Sequence, residues 1–204
     1  MASTETTNIY EYGVKAIYLG FASSETTATN GYEKPIQIYG PTELKIALST
    51  NQDTLYAADG VWATINSVSS ATITLKYYQT IGKAIRARML GHKTDANGIG
   101  YMTNIPTPEE FALGAIFEGA AQNYLRWFYR CQAIDPDEDR TTVGEKIEAA
   151  ENEMSILATP KEIGDEKIIC SDPIGSIDDK AVFDTYASSV YVAAAATTTL
   201  NTGA

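Results

Sequence analysis

Residues 59 and 60 are Asp-Gly, and the chain on both sides of them is rich in aromatic and β-branched residues. The stretch from Asn51 to Tyr78 reads NQDTLYAADGVWATINSVSSATITLKYY. An Asp-Gly so flanked is the strongest short-range hairpin signal, because the tight turn that suits twisted strands needs positive φ at its centre. The expected path is a polar loop from Asn51, a turn at Asp59-Gly60, then Val61-Trp62-Ala63-Thr64-Ile65 and a second alternating run. Leu55, Tyr56 and Trp62 lie close to the turn, where solvated polar residues are the ordinary choice. Apolar groups on a projecting hairpin need a surface to press against, either their own core or another copy of the chain.

Elsewhere the dominant period is two. Val14 to Phe21 alternates, with Lys15, Ile17, Leu19 and Phe21 on one face. Pro35 to Tyr39 is a short strand. In Thr42 to Ser49, Leu44, Ile46 and Leu48 oppose Glu43, Lys45 and Ala47. Ser70 to Tyr78 sets Ile73, Leu75 and Tyr77 against Thr72, Thr74 and Lys76. Phe111 to Glu118 and Tyr124 to Cys131 are two further strands. The second places Leu125, Trp127, Tyr129 and Cys131 on one face and Tyr124, Arg126, Phe128 and Arg130 on the other. Aromatics on both faces predict a central strand covered on both sides. Ile163 to Cys170 reads as one more strand, and Pro173-Ile174-Gly175 as a turn.

Two stretches change period. Over 80–90, Ile81, Ala84, Ile85 and Met89 form a helical stripe, with Thr80 as its cap and Gly91 at its end. The other side carries Lys83, Arg86 and Arg88. These basic residues complement the helix dipole, or form a docking face for an acidic neighbouring subunit. Over 178–188, Asp178 caps a short helix with Val182, Phe183, Tyr186 and Val190 on one face. Between 93 and 108 the chain is loop. Thr142 to Thr159 is rich in helix formers, so propensity alone predicts a helix there. The first seven residues form a small polar tail, and residues 193–204 are a low-complexity tail beyond a single domain of 1–192.

Composition narrows the functional classes. Twenty-six acidic residues against 15 basic ones give a net charge of -11. That balance suits neither a phosphate-binding surface nor attachment to an anionic membrane. Two cysteines, Cys131 and Cys170, make neither a disulfide framework nor a metal motif and read as small buried hydrophobes. The first residues lack a basic and an apolar region, and no apolar run reaches membrane-spanning length, so a soluble protein made in the cytosol is expected.

No credible catalytic or cofactor constellation stands out. His92 is the only histidine and has no nucleophile motif beside it. Asp135, Asp137 and Asp139 have the rhythm of a calcium loop, but Arg140 and Lys146 occupy the positions that need glycine and glutamate. There is no phosphate-cradling glycine loop. The basic, aromatic strand YLRWFYR fits a core with a polar rim better than a base-stacking platform. No catalytic residue, cofactor or metal is expected.

The ordered motifs VKAIYLGF, TLYAADGVWATINS, AIFEG followed by YLRWFYRCQA, EKIEAAENEMSILATP and FDTYASSVYV run from Ile9 to about Val192. In that order and spacing the chain resembles the phi13-type major tail proteins of long non-contractile-tailed phages. It departs at Ala58, where the family often has a second acidic residue, and in the ATTTLNTGA extension. The resemblance implies a mainly β fold, a β-sandwich or barrel of tail-tube type with one or two short flanking helices. It also implies that Lys146 to Ala158 is strand.

The function implied is a structural subunit of the virion tail, made in the cytoplasm of a bacterial host. Hexameric rings would stack into a tube around a lumen that viral DNA traverses without specific binding. Its partners would be other copies of itself, the tail tip and tape measure, and the tail terminator. On that reading Asp53, Leu55, Tyr56, Asp59 and Trp62 meet the next ring, Glu145, Glu151 and Glu153 face the lumen, and Lys83, Arg86 and Arg88 meet a neighbouring subunit. Two alternatives stay open: another stacked-ring tube, from a contractile tail or a secretion machine, and a β-sandwich that holds sugars on Trp62 and Tyr56.

Overall fold

The computed structural model describes residues 10–23, 30–57, 60–78, 81–134 and 151–192. Its strands in chain order are β1 (Glu11–Phe21), β2 (Ile36–Ile38), β3 (Pro41–Ala57), β4 (Gly60–Tyr77), β5 (Lys93–Thr94), β6 (Gly100–Tyr101), β7 (Phe111–Gly119) and β8 (Tyr124–Ile134). They continue with β9 (Asn152–Thr159), β10 (Lys161–Ile163), β11 (Glu166–Ile168) and β12 (Ile174–Gly175). Two short helices, α1 (Lys83–Leu90) and α2 (Lys180–Phe183), complete the described elements. The fold is mainly β.

One antiparallel sheet dominates, in the order β2-β1-β7-β8-β9-β4-β3, with β12 joining β8. The sheet curls, so that Cα atoms of β1 and β3 approach within 8 Å although no ladder joins them. The concave side holds the larger core, including Ile17, Leu19, Phe21, Ile73, Leu75, Leu113, Phe128 and Ile156. Helix α1 closes this core with Met89 and Leu90, both buried. The opposite side buries Tyr18, Tyr32, Leu125, Trp127 and Tyr129 under Ile174, Phe183 and Val190 of the C-terminal segment. Each large side chain so removed from water contributes about 1.5–3 kcal/mol.

β8 is therefore the central strand, covered on both sides, as its two aromatic faces predict. One face assignment needs correction. Leu113 pairs with Phe128 but Phe111 pairs with Cys131, so β8 spends one residue more than β7. This β-bulge returns Cys131 to the concave core with Phe128, whereas strict alternation puts it beside Trp127. A second bulge, between Val14 and Ala16, takes Lys15 out of register, and Lys15 is exposed rather than aligned with Ile17.

Other boundaries also move. Asn51 to Ala57 is not a loop: it is the outer half of β3, paired with β4 as far as Ala57 opposite Gly60. The stretch 163–170 is not one strand, because Gly164 at φ 63° turns the chain between β10 and β11. Ile174-Gly175 is strand, held to Leu125 and Tyr124. The loop of 93–108 contains the β5–β6 ribbon. Helix α1 starts after Gly82 without a side-chain cap, Thr80 lies outside the described residues, and Gly91 at φ 70° ends the helix as expected. In α2 the capping position is Asp179 rather than Asp178, and only Lys180–Phe183 is helical.

The described part of the disputed 142–159 stretch, Asn152–Thr159, is strand. Met154, Ile156 and Ala158 point into the concave core between β4 and β8. A helix would bury these period-two residues on no single face, so tertiary pairing overrides local propensity.

Candidate functional site

β3 and β4 are 17 and 18 residues long, yet the sheet beneath them uses only their inner halves. β9 pairs with β4 from Tyr77 up to Ala71 and goes no further. Beyond Ala71 the two strands continue alone to Gly60, about 35 Å at roughly 3.3 Å per residue. Bulges lie along this arm where Ser69 and Trp62 have no cross-strand partner. A bulge increases local twist and re-aims side chains, which keeps the arm from lying as a flat edge.

The arm is apolar on both faces. Leu55 and Tyr56 are successive residues and so point to opposite sides. Leu55 stands opposite Ala63 and Asp53 opposite Ile65, while Tyr56 faces Val61. Leu55, Tyr56, Val61, Trp62, Ile65 and Val68 are all exposed, Tyr56 and Trp62 at 74% each. A lone two-stranded ribbon is marginal in water, and six large apolar side chains without cover compound the problem. The structure thus brings together Asp53, Leu55, Tyr56 and Trp62 of the expected contact group. Asp59 lies outside the described residues.

The expected acidic group divides. Glu145 lies outside the described residues. Glu153 stands opposite Lys76 across the β4–β9 ladder, and Lys76 Nζ is 3.0 Å from Glu43. The hydroxyl of Thr42 donates to the Glu151 carboxylate. The result is a cluster of three carboxylates, Glu43, Glu151 and Glu153, around one ammonium. The hydrogen bond to Glu43 and the field of the other two hold the Lys76 ammonium charged to higher pH than usual.

The basic group on α1 also divides. Arg88 is committed within the chain: Nη1 and Nη2 donate to Glu33, Nε donates to Glu109 at 2.8 Å, and the guanidinium sits 3.9 Å over the Phe21 ring. Lys83 Nζ donates to the Gly98 carbonyl at 2.9 Å, tying α1 to the β5–β6 turn. Arg86 is half-buried on the same helix.

Sequence reasoning passed over β6 and the residues on either side of it. Ile99, Tyr101, Met102 and Ile105 are exposed there, Ile105 at 75%. The turn before them is built by Asp95, whose Oδ1 accepts from the amides of Asn97 and Ile99 at 2.9 and 2.7 Å. Four large apolar residues within a glycine- and proline-rich loop were the available signal.

Among the described residues, no group of three His, Cys, Asp or Glu side chains gathers as a metal site, and no helix is long and apolar enough to cross a membrane. No protein-family model matches this sequence, and no curated protein matches it.

Proposed function

We propose that this chain is a structural subunit of a phage tail tube, which stacks as rings around a lumen that DNA traverses. The observation that carries the reading is the arm of β3 and β4, which leaves the core at Ala71 and exposes apolar side chains on both faces. A ribbon of this kind gains stability only by laying those faces on another molecule. Where the arm of one copy meets a different surface of the next, the contact is head-to-tail, which generates an open filament. Along the arm, beyond the part of β3 that β1 approaches, the outer edge of β3 carries no further strand among the described residues, so a neighbouring sheet can also extend the ladder there. Glu43, Glu151 and Glu153 are the residues we assign to the lumen, where like charge keeps DNA from adhering.

Electron microscopy and light scattering of the concentrated protein test this. Hollow tubes or stacked rings of uniform width are expected. A chain that stays monomeric at every concentration, and whose Trp62 fluorescence responds to oligosaccharides, would instead establish the sugar-binding reading.

A further inference from the structure

We infer that Asn97 is a site of spontaneous deamidation, closed into a succinimide by the Gly98 amide, and that the fold withholds the same reaction from Asn30. The inference does not depend on the proposed tube. Asn30-Gly31 and Asn97-Gly98 are the two Asn-Gly pairs of the chain. A glycine on the C-terminal side leaves the main-chain nitrogen open to the asparagine side chain, because no Cβ shields it. Sequence alone therefore offers both pairs to the same chemistry, and the structure separates them.

Asn30 is held through its side chain and its backbone. Its Nδ2 donates to the Val190 carbonyl at 2.9 Å. The residue sits at φ 58° and Gly31 at φ 79°, the left-handed pair of a tight hairpin turn. The Gly31 carbonyl accepts from the Ser23 amide at 3.0 Å, and Tyr32 beyond it is buried. The nitrogen that must leave is thus the one bonded to Val190. The side chain cannot swing onto the Gly31 nitrogen without giving up that bond.

Asn97 lies in the turn between β5 and β6, and both it and Gly98 are exposed. Asn97 enters the turn through its backbone amide, which donates to Asp95 Oδ1. Among the described residues its carboxamide has no hydrogen-bond partner. A Cβ added at either glycine would meet nothing within 4 Å, so room does not distinguish the two pairs. The tether on the side chain does. The bond that opposes attack at Asn97 runs from the Gly98 amide to the Asp95 carbonyl at 3.1 Å. It lies in an exposed turn, where local opening is cheap.

In the reaction the Gly98 nitrogen gives its proton to a solvent base and attacks Cγ of Asn97. The N–Cγ bond forms as the Cγ–Nδ2 bond breaks, and Nδ2 leaves as ammonia. Water then opens the ring at either carbonyl to give aspartate or isoaspartate, with no change of oxidation state. Both products set a new carboxylate beside that of Asp95, and isoaspartate also lengthens the main chain by one carbon. The Gly98 carbonyl is the tie for Lys83 Nζ, and Gly100 and Tyr101 pair with Thr94 and Lys93. Conversion therefore slackens the β5–β6 ribbon and its hold on α1.

The test ages the full, unaltered chain near pH 8 and samples it over weeks. Digestion under mildly acidic conditions and mass spectrometry read each asparagine, and isoaspartyl methyltransferase counts the isoaspartate. Asn97 should convert at least tenfold faster than Asn30, with isoaspartate among its products. Equal rates in the folded chain, or faster loss at Asn30, would overturn the inference. In denaturant the two rates should come together. A difference that persists there would assign it to the neighbouring residues and overturn the protection by Val190. Hydrogen exchange supplies the second read-out: amides from Lys93 to Tyr101 should exchange several-fold faster in the isoaspartyl fraction than in fresh chain. Unchanged exchange would overturn the loosening of the ribbon.

Discussion

The guanidinium of Arg88 forks onto the carboxylate of Glu33, Nη1 to Oε2 at 2.9 Å and Nη2 to Oε1 at 2.8 Å. The same guanidinium covers the Phe21 ring and reaches Glu109, so one side chain ties α1 to β1, to the segment before β2 and to the segment before β7. Two-pronged geometry distinguishes this from an ordinary surface ion pair. Arg88→Met should destabilise the fold by about 1–2 kcal/mol, a figure discounted for partial exposure of all three charges.

The sign of the pH dependence follows from Glu33. Its hydrogen bond from Arg88 lowers its pKa, so the stabilisation is present above the ordinary carboxylate range and is lost as pH falls through the lowered value. The gap between Arg88→Met and the unaltered chain should therefore be widest near neutrality and close as pH falls below the ordinary carboxylate range. Thermal melts across that range measure it, and a constant gap would show that packing on Phe21 alone is responsible.

Gly114 lies against the face of Trp127. A Cβ added there would come within 2.6 to 2.8 Å of three ring carbons. Trp127 is fully buried and has no room to retreat. Gly114→Ala should cost about 1–3 kcal/mol by overpacking, seen as a lower denaturant midpoint at unchanged slope.

The two thiols should differ in reactivity. Cys131 is buried beneath the concave core, and burial pushes its thiol well above the usual range. Cys170 is half-buried and raised less far, again chiefly by burial. A thiol reagent at pH 8 should label Cys170 slowly and leave Cys131 untouched until the chain unfolds, when both react. Equal native rates would contradict the face assignment of Cys131.

Residue pattern reached most of this fold because its strands keep period two and bury one or both faces. Ile73, Leu75 and Tyr77 are buried where alternation places them, and so are Trp127 and Phe128 on opposite sides of β8. What escaped were the bulges. Cys131 follows an inserted residue and Lys15 is one, and an insertion is visible only once the partner strand is known. The outer half of β3 escaped for a different reason. Asn51 to Thr54 is polar because it faces water on a ribbon, and a solvated strand is written with the same residues as a loop. Of the candidate contact site, Leu55, Tyr56 and Trp62 were legible as misplaced apolar residues. Ile99 to Ile105 was not, because loops carry no period to violate.

Within the proposed tube, Glu43, Glu151 and Glu153 keep the inner wall repulsive to phosphate. Reversing Glu151 and Glu153 to Lys should leave assembly intact but slow or stall DNA delivery, because each added cation forms a salt-sensitive phosphate contact. Particles carrying the changes should recover delivery at raised ionic strength. Unchanged delivery at low salt would remove these residues from the lumen.

The arm separates stability from assembly. Leu55, Tyr56 and Trp62 are exposed and lie beyond the last residue of β4 that pairs with β9, so no core contact is lost when they are truncated. The triple change Leu55→Ser, Tyr56→Ser, Trp62→Ser should shift the unfolding free energy by no more than about 0.5 kcal/mol, as for surface sites generally. Loss of the same side chains at a desolvated interface costs about 2 kcal/mol or more for each anchor. The critical concentration for tube formation should therefore rise at least thirtyfold, a change that light scattering reads directly while circular dichroism confirms the fold. A large loss of stability with unchanged assembly would reverse the assignment. It would mean that the arm folds back on its own chain.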